Sequence, residues 1–272
     1  MSLDVVFGPS NISSVEQEFQ SSPTVERAAQ LLALVLEPEA GAERGLGELA
    51  AAAGLPKSTA SRLLATLEQH GLVEQEGARG GFRAGPVIER HAGRARERRL
   101  RELAEQPMAV LADVTGETVN LAVPGDGGVE HVAQVEGRYF LGTTQWIGRR
   151  VPYHATANGK VLLAYRAAEA PAGPLEALTS RTIADRRVLD AELAAVRGEG
   201  FATAAEELEL GLSAMAAPVF EHGGRAIAAL SVSGPTLRLS PRRVAELRPI
   251  VIKQARALSE ALGHRPEGVH AA

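Results

Sequence analysis

Two hydroxyls, Ser231 and Ser233, stand one residue apart in the apolar run 226–233. On a strand that spacing turns both side chains to one face, shared with Ala229, while Leu230 and Val232 take the other. Hydroxyls on an apolar sheet face either bond the backbone or wait for a polar ligand. A second set, Lys57, Ser58, Thr59, Ser61 and Arg62, opens a segment with helical patterning. Short hydroxyls beside the free N–H groups of a helix start suit phosphate, and an arginine there can pair with guanine or hold a phosphate. A third set, Glu206-Glu207, would do acid–base work only if its two carboxyls shared a proton. Adjacent residues on a strand face opposite ways, so this pair is expected to cap the turn that follows.

Other chemistries lack their parts. The chain has no cysteine, which removes disulfides, thiolate metal sites and a cysteine nucleophile. Its 7 histidines show neither H-x₃-H nor H-E-x-x-H spacing, so no metal is expected, and His154 reads as structural. Asn158-Gly159-Lys160-Val161 imitates the end of a phosphate loop, but His154 and Val161 stand where that motif needs Gly and Ser or Thr. There is no Gly-x-Ser-x-Gly elbow. The expectation is a protein without catalytic residues and without a cofactor.

The elements that must position these residues follow from punctuation and period. At 272 residues the chain has room for one large domain or two modest ones, and 45% apolar with 23% charged residues excludes wholesale disorder. Ser22-Pro23 opens a helix with the stripe Val25, Ala28, Ala29, Leu32, closed by Pro38. Leu46, Leu49, Ala50 and Ala53 mark a second helix stopped by Gly54; Pro56 opens a third, with Ala60, Leu63, Leu64 and Leu67 inside and Gly71 at its end. Two short strands, 72–74 and 82–83, then flank a glycine-rich tip. Helix, tight turn, helix and wing make a winged helix-turn-helix, whose second helix enters the major groove. Lys57, Ser58, Thr59, Ser61 and Arg62, with Arg79 and Arg83 of the wing, are the expected DNA contacts. The net charge of −4 carries no hint of this. Its hint lies in distribution, since cations gather on the reading face and wing while most glutamates sit on the other helices.

Residues 87–101 hold six arginines, at 90, 94, 96, 98, 99 and 101, against Glu89 and Glu97, and read as a linker helix. Pro107 is expected to start or kink a further helix to Val114. All but three of the 29 basic residues are arginine, the lysines being 57, 160 and 253, a usage read as GC-rich coding. Beyond the linker, strands at 118–123, 129–135, 200–204, 214–220 and 226–232 alternate with helices near 155–165, 190–199 and from Ser240-Pro241 to Leu262. Hairpins flanked by helices imply an antiparallel α+β sheet. The expected division is a mobile segment 1–21, a winged helix 22–86, the linker 87–101, an α+β domain 102–264 and a tail 265–272. The longest apolar run, Leu31–Leu36, is far short of a membrane span, and no secretory signal is readable, so a cytoplasmic protein with no membrane partner is expected.

The wording of the segments adds to this. Val25-Glu26-Arg27-Ala28, Leu49-Ala50, Gly54-Leu55-Pro56-Lys57-Ser58-Thr59 and Arg62-Leu63-Leu64-Ala65-Thr66-Leu67 resemble the IclR family of bacterial transcriptional regulators. The resemblance continues through Thr115-Gly116-Glu117-Thr118-Val119, Gly159–Ala164, Glu206-Glu207, Ala217-Pro218-Val219 and Ser231–Pro235. It implies an α+β protein: a winged helix-turn-helix joined by a linker helix to a GAF-like effector domain, acting as a homodimer or dimer of dimers on palindromic double-stranded operator DNA. It also implies an effector pocket at Ala157, Asn158, Ala204, Ala214, Ser231 and Ser233. Family members that bind small keto acids carry an acidic residue where this chain has Ala204, and a Cys can occur at Ala214. The implied effector is therefore an organic acid with an apolar, aromatic or branched, body. Leu141 and Trp146 fall in the segment that borders the pocket or the contact between effector domains, although Trp146 reads equally well as core. The competing reading is a GAF-like sensor or enzyme whose helical module contacts protein instead of DNA.

Overall fold

The computed structural model describes residues 22–37, 44–77, 80–139 and 145–265, and the chain divides into two compact units between Arg94 and Ala95. The segment 1–21, Arg79, Leu141 and most of the tail lie outside the described residues.

In the first unit α1 (Pro23–Leu36), α2 (Leu46–Ala52) and α3 (Lys57–Gln69) precede the strands β1 (Val73–Gln75) and β2 (Phe82–Ala84). The turn between α2 and α3 is made by Gly54 at φ 63°, and the Leu55 N–H closes it on the Ala50 carbonyl at 2.9 Å. Only glycine adopts that left-handed conformation at no steric cost. Leu49, Ala50, Ala60, Leu64 and Leu67 bury the expected faces of α2 and α3 against Leu31, Val73 and Phe82. The α1 stripe differs from expectation. Val25 is 65% exposed, and Leu31 is the buried residue of this helix. The run Leu31–Leu36 admits several stripes, and packing against α3 selects the one centred on Leu31.

α4 (Pro86–Thr115) is one helix, with Pro107 inside it, so no separate helix starts at this proline. Leu100, Ala104, Met108 and Leu111 recur along one face and are buried in the core of the second unit, which holds the helix together across the missing N–H. The rest of that unit comprises β3 (Thr118–Gly125), β4 (Gly128–Val135), β5 (Arg150–Val151), α5 (Ala157–Ala164), α6 (Arg186–Glu199), β6 (Ala202–Ala205), β7 (Leu212–Phe220), β8 (Ala226–Pro235) and α7 (Pro241–Ala261). The six strands form an antiparallel sheet in the order β5-β4-β3-β8-β7-β6.

Alternation gives the sheet two apolar faces. Val119, Leu121, Met215, Ala217, Leu230 and Val232 pack with α4 and α7. Ala122, Ala216 and Ala229 pack with α5 and α6. Every residue of α5 is buried, as expected of a helix that is largely apolar all round. Its N-cap is Thr156, whose Oγ accepts the Gly159 N–H at 3.1 Å. A Cβ at Gly159 would lie 2.1 Å from the Tyr153 carbonyl oxygen, so this turn closes only around a glycine.

Candidate functional site

α3 presents Lys57, Ser58, Ser61, Arg62 and Gln69 to solvent, while Thr59 is half-buried beside the buried Ala60. The cap residue Pro56 offers no side-chain hydrogen bond, so the first N–H groups of the helix stay free for an anion. Neither Lys57 nor Arg62 has an ion pair among the described residues. Arg83 differs: its guanidinium meets Glu74 at 3.1 Å, its cross-strand neighbour in the wing. Along α4, Arg98 pairs with Glu102 and Arg101 with Glu97, leaving Arg90, Arg94, Arg96 and Arg99 exposed.

In the second unit Ser231 and Ser233 face a cavity of about 40 Å³ together with Ala157, Asn158, Ala214 and Trp146. Ala204 is not on its wall. The ladder runs Ala204↔Ala214↔Ser233, so Ala204 lies one strand further out, buried in the apolar layer. Beside Thr156, the polar lining includes Asn120 and His131, which were not singled out from the sequence. Their signal was legible as polar residues within the apolar runs 118–123 and 129–135. What hid their partners was distance along the chain, since Asn120 donates to Ser233 Oγ at 3.1 Å across 113 residues. Asn158 Nδ2 stands 3.3 Å from His131 Nε2. The Oδ1 atoms of Asn120 and Asn158 are buried without a partner among the described residues. An amide turned end for end presents NH₂ instead, so each can offer either a donor or an acceptor. Burial pushes His131 down to about 4, against a smaller opposing pull from the Arg149 backbone, and the imidazole is neutral at pH 7. His154 stands apart from the cavity, its Nε2 2.9 Å from the Glu176 carbonyl.

The carboxylates divide the work between them. Glu206 caps the turn as expected, accepting the Gly211 N–H at 2.9 Å. Glu207 instead turns inward to Lys160, 2.7 Å from its Nζ. Lys160 is 1% exposed, and its other two donors go to the Thr203 carbonyl at 3.0 Å and Glu192 at 3.2 Å. Burial raises the Glu207 carboxyl and the Lys160 charge pulls it back. The lysine that imitated a phosphate loop is thus an internal clamp. It ties α5, whose first turn lines the cavity, to the stretch before Leu208 on the opposite wall.

A winged helix with an open reading face and a separate α+β unit enclosing a polar-lined cavity define a ligand-responsive DNA-binding regulator. The family model of the IclR helix-turn-helix domain matches residues 24–77, and that of the bacterial transcriptional regulator IclR C-terminal domain matches residues 93–260. The HTH-type transcriptional regulator XynR of Escherichia coli is 36% identical over 248 residues, 89% of this chain and 97% of its own. The transcriptional repressor IclR of Escherichia coli is 33% identical, covering 88% and 90%. Among solved structures, an IclR-family regulator from Rhodococcus superposes with a TM-score of 0.63 at 28% identity, covering 88% of this chain and 92% of that one. The chain belongs to the IclR family. It is a transcriptional regulator with a DNA-binding helix-turn-helix and a C-terminal effector-binding domain, not an enzyme. The reading in which the helical module contacts protein instead of DNA is not favoured.

Two predictions follow the buried groups. Lys160→Met strands the Glu207 carboxylate in the interior and is expected to cost about 3–5 kcal/mol in urea unfolding. Adding Glu207→Leu should recover part of that loss; an additive double variant would mean the pair is not coupled. For His131 the folded-state value lies below the ordinary 6.5, so the folded protein binds fewer protons between the two values. Its contribution is complete above about pH 6.5 and lost as pH falls toward 4. The stability gap between the native chain and His131→Gln should therefore shrink by about 2 kcal/mol from pH 7 to pH 4.5. A gap that stays constant with pH would contradict this.

Proposed function

We propose that the cavity of the second unit binds a small organic acid and that this binding sets the affinity of α3 for operator DNA. The observation that carries the reading is the cavity's lining. Three hydroxyls and two amides line it, each amide has one end without a partner that can be turned to present NH₂, and no charged side chain is on the wall among the described residues. Such a site holds a carboxylate through neutral donors, helped by the unpaired N–H groups of Ala157 and Asn158 at the start of α5. At about 40 Å³ it admits a few waters, so an aromatic or branched body enters only as Trp146, Leu208 and Leu212 draw apart. We further propose that the chain acts in the cytoplasm as a homodimer or dimer of dimers on a palindrome. Paired reading helices then meet half-sites about 34–36 Å apart, and the α4 arginines left without ion pairs flank the DNA or pack between protomers. No described helix is long and apolar enough to cross a membrane.

Two variants test the two halves separately. Arg62→Ala, titrated at fixed salt against DNA fragments co-purified with the protein, should lose about 1–3 kcal/mol if Arg62 reads a base. Unchanged affinity would remove α3 residue 62 from the interface; an equal loss on every sequence would make it a phosphate contact. For the cavity, a thermal-shift screen of carboxylates supplies a ligand, and calorimetry on Ser233→Ala should then show affinity about tenfold weaker or more, one charged hydrogen bond being worth about 1.5–3 kcal/mol. DNA binding by the free variant should be intact. Equal affinity for the acid would place the effector elsewhere.

A further inference from the structure

β6 pairs with β7 only from Ala202↔Ala216 to Ala205↔Ser213, so β7 beyond Ala216 has no strand on its outer side among the described residues. The gap opens a second cavity of about 250 Å³, which shares no residue with the one holding Ser231 and Ser233. Aromatic rings wall it: Tyr165 stands edge-on to Phe220 at 5.3 Å, and Phe220 stacks on His264 at 5.0 Å. Ile252 closes another side. Most polar groups here are already committed. The Tyr165 hydroxyl donates to the Arg197 carbonyl at 3.2 Å. Ser259 Oγ donates to the Ala255 carbonyl at 2.8 Å and accepts the Phe220 N–H at 2.9 Å.

Two groups on the wall are left over. Arg256 is exposed and has no ion pair or hydrogen bond among the described residues, and His264 Nδ1 is buried without a partner. We propose that this cavity binds a planar aromatic carboxylate, with the ring against Phe220 and Tyr165 and the carboxylate on Arg256. The size fits, since about 150 Å³ holds a benzene ring. An inorganic anion would satisfy Arg256 but leave the aromatic wall wet, whereas a ring covers it and gains stacking and area burial together. With Arg256 the one permanently charged side chain on the wall among the described residues, the site selects one negative charge at one end of the ligand. His264 Nδ1 offers a place for a ring hydroxyl or nitrogen.

Methyl NMR on the full-length, isoleucine-labelled protein tests this, because Ile252 lines this cavity and not the other. Titration with benzoate should move the Ile252 methyl saturably, and benzamide, which lacks the charge, should bind at least tenfold more weakly. Arg256→Gln, an exposed change, should weaken benzoate at Ile252 by a similar factor. An Ile252 signal that benzoate leaves in place, or that responds equally to benzamide or equally in Arg256→Gln, would overturn the proposal. A response that emerges only when the chain is cut after Arg265 would overturn it too, by making the chain's own C-terminal residues the occupant.

Discussion

The Lys160 ammonium is 1% exposed, and a charge so placed must find all its acceptors inside the protein. It finds three for its three donors: the backbone of edge strand β6, the Glu207 carboxylate that follows that strand, and Glu192 on α6. Because they come from separate elements, α5 can neither slide nor roll without stranding a charge. The planar fork of an arginine could not reach three acceptors spread around one point, which accounts for a lysine in a chain that otherwise uses arginine almost throughout. The first turn of α5 is one side of the cavity that Ser231 and Ser233 line, so the geometry of that cavity is inherited from an ion pair that does not touch it.

The remaining architecture is a matter of covering surfaces. A six-stranded sheet with small or branched apolar residues on both faces needs a helical layer on each, and the two layers are built differently. On the α4 and α7 side the buried residues are bulky, Met108, Leu111, Met215 and Leu247 among them, and the packing is continuous. On the α5 and α6 side the strands contribute mainly alanines, at 122, 204, 216 and 229, and the polar residues Asn120, Ser231 and Ser233. Small and polar side chains leave room, and the room is the cavity. A bidentate ion pair between Glu117 and Arg238, with Arg238 over the Tyr139 ring at 4.5 Å, ties the start of β3 to the turn after β8 at the end of that same strand pair.

What the sequence made legible was whatever is local. Gly54, Pro56 and Gly71 punctuate the winged helix, and the one-in-two spacing of Ser231 and Ser233 assigns both faces of β8 correctly. Local reasoning went astray where several answers fit or where tertiary contacts decide. The run Leu31–Leu36 allowed more than one buried stripe, and Pro107 reads as a break until its neighbours are seen to be held in the core. Ala204 was carried to the pocket by position in a motif, although the strand ladder sets it one strand away. Glu207 was assigned to a turn cap and Lys160 was given no role, because their link spans 47 residues and no period or motif reports a contact of that kind.

The Glu74–Arg83 pair across the wing has a consequence of its own. An arginine that already has a carboxylate beside it has shed part of its ion atmosphere before any duplex arrives. If the wing reaches a phosphate, Arg83 exchanges one anion for another, and Glu74 is left to take up a cation from solution. The cations released from DNA would then be partly offset by the one taken up at Glu74, flattening the fall of affinity with salt. Under that exchange the affinity of the wing for DNA varies less with ionic strength, and the salt sensitivity falls to cations that have no anion beside them.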